Sequence, residues 1–294
     1  MATPRAAACR SEAAIPARAG IGLRLPHHEA FRGHRPAIGW VEVHSENYLS
    51  GSAFADLAAI RADYPVSLHS VGLSLGSATG LDPRHLARLA DLARRIEPGL
   101  ISEHLAWGAV DHAFLADLLP LPLTEESLAL VSDNVGRAQD VLGRRLLIEN
   151  PATYLQFRHS TIPEPEFLVA LVARTGCGLI LDINNVAVSA GNHGWDADAY
   201  LAGLPGKAIG EYHLAGHRRL ETASGTLRLD SHDQPVAPEV WTLFAAALRR
   251  FGPRPVLVEW DQSIPPLAIL LAEAERAEAG LAAHAQGREY ADIA

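Results

Sequence analysis

Cysteine is nearly absent: the 294 residues contain two, Cys9 and Cys177. Two lone cysteines build neither a disulfide framework nor a thiolate metal site, and they fit a reducing cytosol. No apolar run reaches the roughly 18 residues that a bilayer span needs, so no membrane partner is expected. Residues 1–18 carry three arginines and small residues but no apolar signal-peptide stretch, and their composition reads as a disordered extension. Lysine is scarce, and arginine supplies most of the positive charge. Net charge is −9 with histidine neutral, the wrong sign for the basic face of a nucleic-acid binder. What is plentiful is apolar sequence, 48%, enough for one large core in a chain of single-domain length.

Short apolar runs alternate with helical patterns. The runs are 20–25, 40–43, 66–69, 100–104, 145–150, 178–184, 210–214 and 256–260. Between them Leu86, Leu89, Ala90, Leu92 and Ala93 recur at helical spacing, as do Leu128, Val131 and Val135, and Val240, Leu243, Phe244 and Leu248. Asp82-Pro83, Thr124-Glu125-Glu126 and Pro163-Glu164 have the make-up of helix starts. Strands alternating with helices predict a parallel sheet, and eight such units predict closure into a (β/α)₈ barrel, an α/β fold, over residues 19–280. A final helix is predicted to about Ala279, with a frayed tail over 281–294. The connection from Gly216 to Pro238 is long enough to need a function.

Barrel active sites form at the C-terminal ends of the strands. Here seven successive strand ends carry a metal-ligand residue type. They read Glu42-Val43-His44-Ser45-Glu46, Leu68-His69, Glu103-His104, Glu149-Asn150, Asp182-Ile183-Asn184-Asn185, Tyr212-His213 with His217 beyond, and Glu259-Trp260-Asp261. With no cysteine in the set, imidazole and carboxylate suit iron, manganese, zinc or cobalt. So many acids in one mouth repel unless cations neutralise them, and their number exceeds the three or four ligands that one zinc uses. That count favours a multinuclear site. Glu46, Glu103, His217 and Asp261 are candidates to hydrogen-bond and orient the ligands. His27 and His28 are weaker candidates, and His159 and His193 read as surface or loop histidines.

These strings resemble one family. They are 42–48, 68–77 (Leu-His-Ser-Val-Gly-Leu-Ser-Leu-Gly-Ser), 102–107, 117–122 (Asp-Leu-Leu-Pro-Leu-Pro), 148–151, 181–186, 213–217, 230–233 (Asp-Ser-His-Asp) and 258–261. In this order they look like the multinuclear nonheme iron-dependent oxidative enzymes, which include the oxidase of methanobactin biosynthesis. The resemblance spans about residues 19–279. It implies a xylose-isomerase-like barrel and an iron- and O₂-dependent oxidase of precursor-peptide maturation. The substrate would be a ribosomally made precursor peptide, modified often at cysteine, and a second protein would recruit it. The ions would be two or three irons in mixed Fe²⁺/Fe³⁺ states. By motif it carries metal-ligand roles onto His69, His104, Glu149, Asp182, Asn185, His213, Asp230, His232 and Glu259, so the long loop would deliver Asp230 and His232. Ser70, Ala116 and Ala187 depart from residues usual in the family.

Two other readings compete. A divalent-metal sugar isomerase or hydrolase would need a lysine or histidine acid–base, and Lys207, the only lysine of the barrel strand region, lies at the wrong end of its strand. A non-catalytic metal-binding protein would not need this many acids or an open mouth.

Overall fold

The computed structural model describes residues 14–110, 113–223 and 225–288, without the side chain of Ala116. Most of the expected N-terminal extension, with Cys9, and the last residues of the expected tail lie outside this range. Eight parallel strands close into a barrel: β1 (Ala19–Gly22), β2 (Trp40–His44), β3 (Val66–His69), β4 (Leu100–His104), β5 (Leu147–Glu149), β6 (Gly178–Asp182), β7 (Ile209–Leu214) and β8 (Val256–Val258). Each lies within or overlaps one of the eight apolar runs. Strands of a parallel barrel are buried on both faces, and nearly all of these residues are. Small residues make room at the floor: a Cβ on Gly20 would enter the ring of Trp40, and one on Gly178 the side chain of Leu147.

Helices cover the outside. Pro83–Ile96 buries Leu86, Leu89, Leu92, Ala93 and Ile96, and the Asp82 carboxylate accepts the Arg84 N–H at its start. Thr124 and Ser127 cap Glu125–Leu142 reciprocally. Glu164–Thr175 begins where the Pro163-Glu164 signal places it, and Pro238–Phe251 carries the Val240, Leu243, Phe244 and Leu248 pattern.

Three expectations are corrected. The run 178–184 stops being strand at Asp182, because Asp182 caps a helix, Ile183–His193, by accepting the Asn185 N–H at 2.6 Å. The last helix, Leu267–Ala285, passes Ala279 because Leu281 and Ala283 are buried. The long connection after β7 is not structureless: Arg218–Thr222 and Gly225–Leu229 pair as an antiparallel hairpin. A second hairpin, Trp107–Val110 with Ala113–Leu119, follows β4 and has no counterpart in the sequence reading. Among the described residues no helix is long and apolar enough to cross a membrane.

Candidate metal centre

Register brings the strand ends side by side around the mouth. His44 pairs with His69, His104 with Glu149, and Asp182 with His213. Side chains two apart on a strand share a face, so Glu42 lies below His44, Ser67 below His69 and Glu211 below His213. The ligand-type atoms fall into groups whose members lie within 4.8 Å of one another: His69, His104 and Glu149; Glu149, Asp182 and His213; Asp182, His232 and Glu259; His44, Glu259 and Asp261. Three carboxylates, Glu149, Asp182 and Glu259, belong to two groups each.

His69 Nε2 and His104 Nε2 lie 3.3 Å apart, and Glu149 Oε2 faces both without a hydrogen bond. Glu149 Oε2 is 3.4 Å from His69 Nε2, 3.6 Å from His104 Nε2 and 3.7 Å from His213 Nδ1. Glu149 Oε2, Asp182 Oδ2, Asn185 Oδ1 and His213 Nδ1 are buried with no hydrogen-bond partner among the described residues. Buried polar atoms are almost always satisfied. Lone pairs that converge at these spacings on a shared point suit metal ions, and the nitrogen and oxygen donors fit the borderline and harder divalent metals.

Neighbours orient these groups. Ser102 Oγ lies 2.8 Å from His69 Nδ1. Glu103 accepts the N–H groups of Leu73 and His104 and lies 3.4 Å from His104 Nδ1. Asn150 clamps the end of β6, donating to the Asp182 carbonyl and accepting the Asp182 N–H. Asn185 donates to Glu149 Oε1 at 3.3 Å. His232 is held between Asp230 at 2.7 Å and Asp261 at 3.0 Å. His217 acts one step back: it bonds Asn184, which donates to Asp230. Glu46 joins no group. It holds the segment after β3 through Ser70, the Val71 N–H and His85. His27 bonds the Pro265 carbonyl and His28 the Tyr48 hydroxyl, both outside these groups.

Arg24 and Glu211 have no role in the sequence analysis, and Glu42 stands there only within its strand end, without a role of its own. Arg24, beyond the end of β1, is buried, ion-paired with Asp261 and 3.7 Å from Glu259. It is a protein cation set directly against the acids of the mouth. Glu42 and Glu211 are fully buried beneath His213, with Nε2 3.5 Å from Glu42 and 3.3 Å from Glu211. Their signal was the two-residue spacing of Glu42 to His44 and of Glu211 to His213.

Electrostatics follow the packing. Burial, then Glu149 and Asp230, push the Asp182 carboxyl well above the usual range. Burial and Glu211 do the same to Glu42. Burial also opposes charge on Glu259, yet His213 beside it holds the carboxyl down at about 2. Arg24 outweighs burial at Asp261 and keeps it well below the ordinary value. Burial and the neighbouring imidazoles push His69 well down. Burial would lower His104 too, but Glu149 and Glu103 lift it to about 9.

Above the groups sits a cavity of about 540 Å³. Phe114, Leu115 and Leu118 of the first hairpin and Tyr154 wall it. Lys207 precedes β7, at the opposite end of the barrel from this mouth.

The chain belongs to the MbnB/TglH/ChrH family of RiPP precursor modification enzymes, whose model matches residues 18–282. It is 47% identical over 261 residues to UPF0276 protein VV3194 of Vibrio vulnificus, covering 88% of this chain and 90% of that one. It is 51% identical over 265 residues to UPF0276 protein RB0508 of Rhizobium meliloti, covering 86% of each. Among solved structures it resembles L-ribulose 3-epimerase, with TM-score 0.60 and 16% identity over 92% of this chain and 96% of that one. It also resembles endonuclease IV of Thermus thermophilus, with TM-score 0.52 and 17% identity over 88% and 99%. At these identities the structural likeness is one of fold, the xylose-isomerase-like barrel that the sequence resemblance implied.

Proposed function

We propose that this chain is a multinuclear nonheme iron oxidase that uses O₂ to modify residues, cysteine foremost, of a ribosomally synthesised precursor peptide brought to it by a recruiting protein. The observation that carries this reading is the sharing of Glu149, Asp182 and Glu259 between candidate metal groups. One ion needs three or four protein ligands; carboxylates common to adjacent groups suit ions joined by bridging ligands. Iron is the ion that the resemblance implies, and an imidazole–carboxylate set suits it.

His69, His104 and Glu149 would hold one ion, and Glu149, Asp182 and His213 the next. Asp182, His232 and Glu259 would hold a third, with Asp230 against His232. Asn185 would reach the second through its unpartnered Oδ1. Iron there would supply the one-electron and O₂ chemistry that side chains lack. The chain's own residues do the rest. Ser102, Glu103 and Glu211 fix the three barrel imidazoles. Arg24 holds Asp261 ionised beside His232. The exposed apolar hairpin side chains Phe114, Leu115 and Leu118 would meet the peptide at the rim of a cavity with room for one side chain.

Protein purified without oxygen should contain more than one iron per chain by elemental analysis, and should take up O₂ when given a cysteine-containing precursor peptide. One zinc per chain and no iron overturns the reading.

A further inference from the structure

A second cavity of about 600 Å³ opens beside the metal cavity. That size lies within the range of small-ligand sites. Leu121, Leu123 and Trp195 wall it, and all three are half-buried against the core, so the walls are fixed. Its one deep carboxyl, Glu164, takes the Tyr200 hydroxyl, and burial pushes that carboxyl up to about 7. Asp196 at the exposed rim is its other acid, and the rest of the wall is apolar and neutral polar.

One segment divides the two cavities. Pro151 lines both; Ala152 and Tyr154 face the metal cavity, and Thr153 and Leu155 face the cleft. Leu155 is 50% exposed and Tyr154 46% exposed, large apolar surfaces standing at adjoining rims. In an extended peptide, side chains two residues apart point the same way and sit about 7 Å apart. Because Pro151 lines both cavities, one extended peptide crossing that segment can present same-face side chains to both.

We propose that the cleft is a specificity subsite, which takes a bulky apolar side chain of the precursor peptide two residues from the side chain that enters the metal cavity. This rests on the reading that the metal cavity processes a peptide. It explains why an apolar cleft adjoins a charged one, and why Leu155 is left bare at its edge. Fully burying a large apolar side chain favours binding by about tenfold or more.

The test uses iron-loaded protein and synthetic peptides with one cysteine and either Phe or Ser two residues before or after it. Titration calorimetry should find a Phe peptide bound about tenfold or more tightly than its Ser counterpart. Leu155→Glu, or Ala199→Trp filling the cleft from the exposed face of helix Ala197–Gly203, should abolish that difference while iron content stays at the wild-type level. Equal affinity of the Phe and Ser peptides, including no binding of either at millimolar concentration, overturns the subsite. So does a Phe preference that survives both substitutions, or a preference for Lys at the same position. Failure of the oxidase reading looks different: the Phe preference then tracks Leu155, but no peptide is oxidised. Oxidation without any Phe preference sinks the subsite alone.

Discussion

His213 meets carboxylates at both ring nitrogens. Nδ1 faces Glu149 and Glu259 at 3.7 and 3.5 Å, and Nε2 faces Glu211 at 3.3 Å and Glu42 at 3.5 Å. A carboxylate against the remote nitrogen fixes both tautomer and ring plane, which leaves Nδ1 free for an ion. Replacing such a partner commonly weakens metal binding by about 10–100-fold. Glu211→Gln is therefore expected to lower iron affinity on that scale and to alter the Mössbauer signature, with the barrel still folded by circular dichroism. Unchanged iron affinity and spectrum would show that Glu211 does not position His213. The proposed direct ligands should behave differently. His69→Ala, Glu149→Ala and Asp182→Ala should each lose iron and peptide oxidation from folded protein, because strand-end side chains at the mouth serve chemistry more than stability. Full iron occupancy in two of the three folded variants would remove them from the ligand set.

At the scale of elements, the barrel strands bring one part of the centre and a loop brings the rest. Asp230 and His232 follow the Gly225–Leu229 strand and reach the mouth from outside the barrel wall. His232 has a left-handed backbone, φ 46°, pinned by its N–H to Gly216 and by its carbonyl to Asp261 and Gln262. A third ion would depend on that loop, so it should be the most labile. Asp230→Ala or His232→Ala is expected to lower iron content by about one ion per chain without emptying the site. No loss, or complete loss, contradicts this. The strands were legible because parallel barrel strands are apolar throughout and stop at polar ends; all eight runs became strands. The cluster at β3 to β8 was legible for the same reason, since an apolar run ending in His69 or Asp182 marks the mouth directly. Glu42 and Glu211 were harder to read, because an acid inside an apolar strand looks like a break in the pattern until the two-residue period is applied. Arg24 was missed because its role depends on a contact across the barrel, over 237 residues to Asp261, that no local pattern carries.

Across the whole molecule, the proposed ligands come from six strand ends and one loop, so metal loading and barrel stability should be linked. Protons show the sign. Without ions, burial and like charges keep Asp182 and Glu42 well above ordinary carboxylate values. Burial opposes charge on His104, His213 and His232, but the surrounding carboxylates outweigh it and raise all three, His104 to about 9. In the unfolded chain these acids and histidines are deprotonated by about pH 7.5. Above about pH 7 the metal-free folded state therefore holds more protons than the unfolded state, and its stability falls as pH rises. The raised acids have been losing stability since the ordinary carboxylate range, and the raised histidines lose theirs as pH climbs through their folded values. Groups shifted the other way, His44 to about 4 and Glu259 to about 2, have finished titrating below this window and add no slope. Bound ions replace those protons and remove the repulsion that kept them on. The iron-loaded protein should thus lack the slope, and the gap in Tm between loaded and metal-free protein should widen from about pH 7 to 8.5. Anaerobic thermal melts of matched samples measure it. A gap that stays constant or narrows over this window would mean that the acids at the mouth do not carry protons in the metal-free barrel, and that ion binding is not what neutralises them.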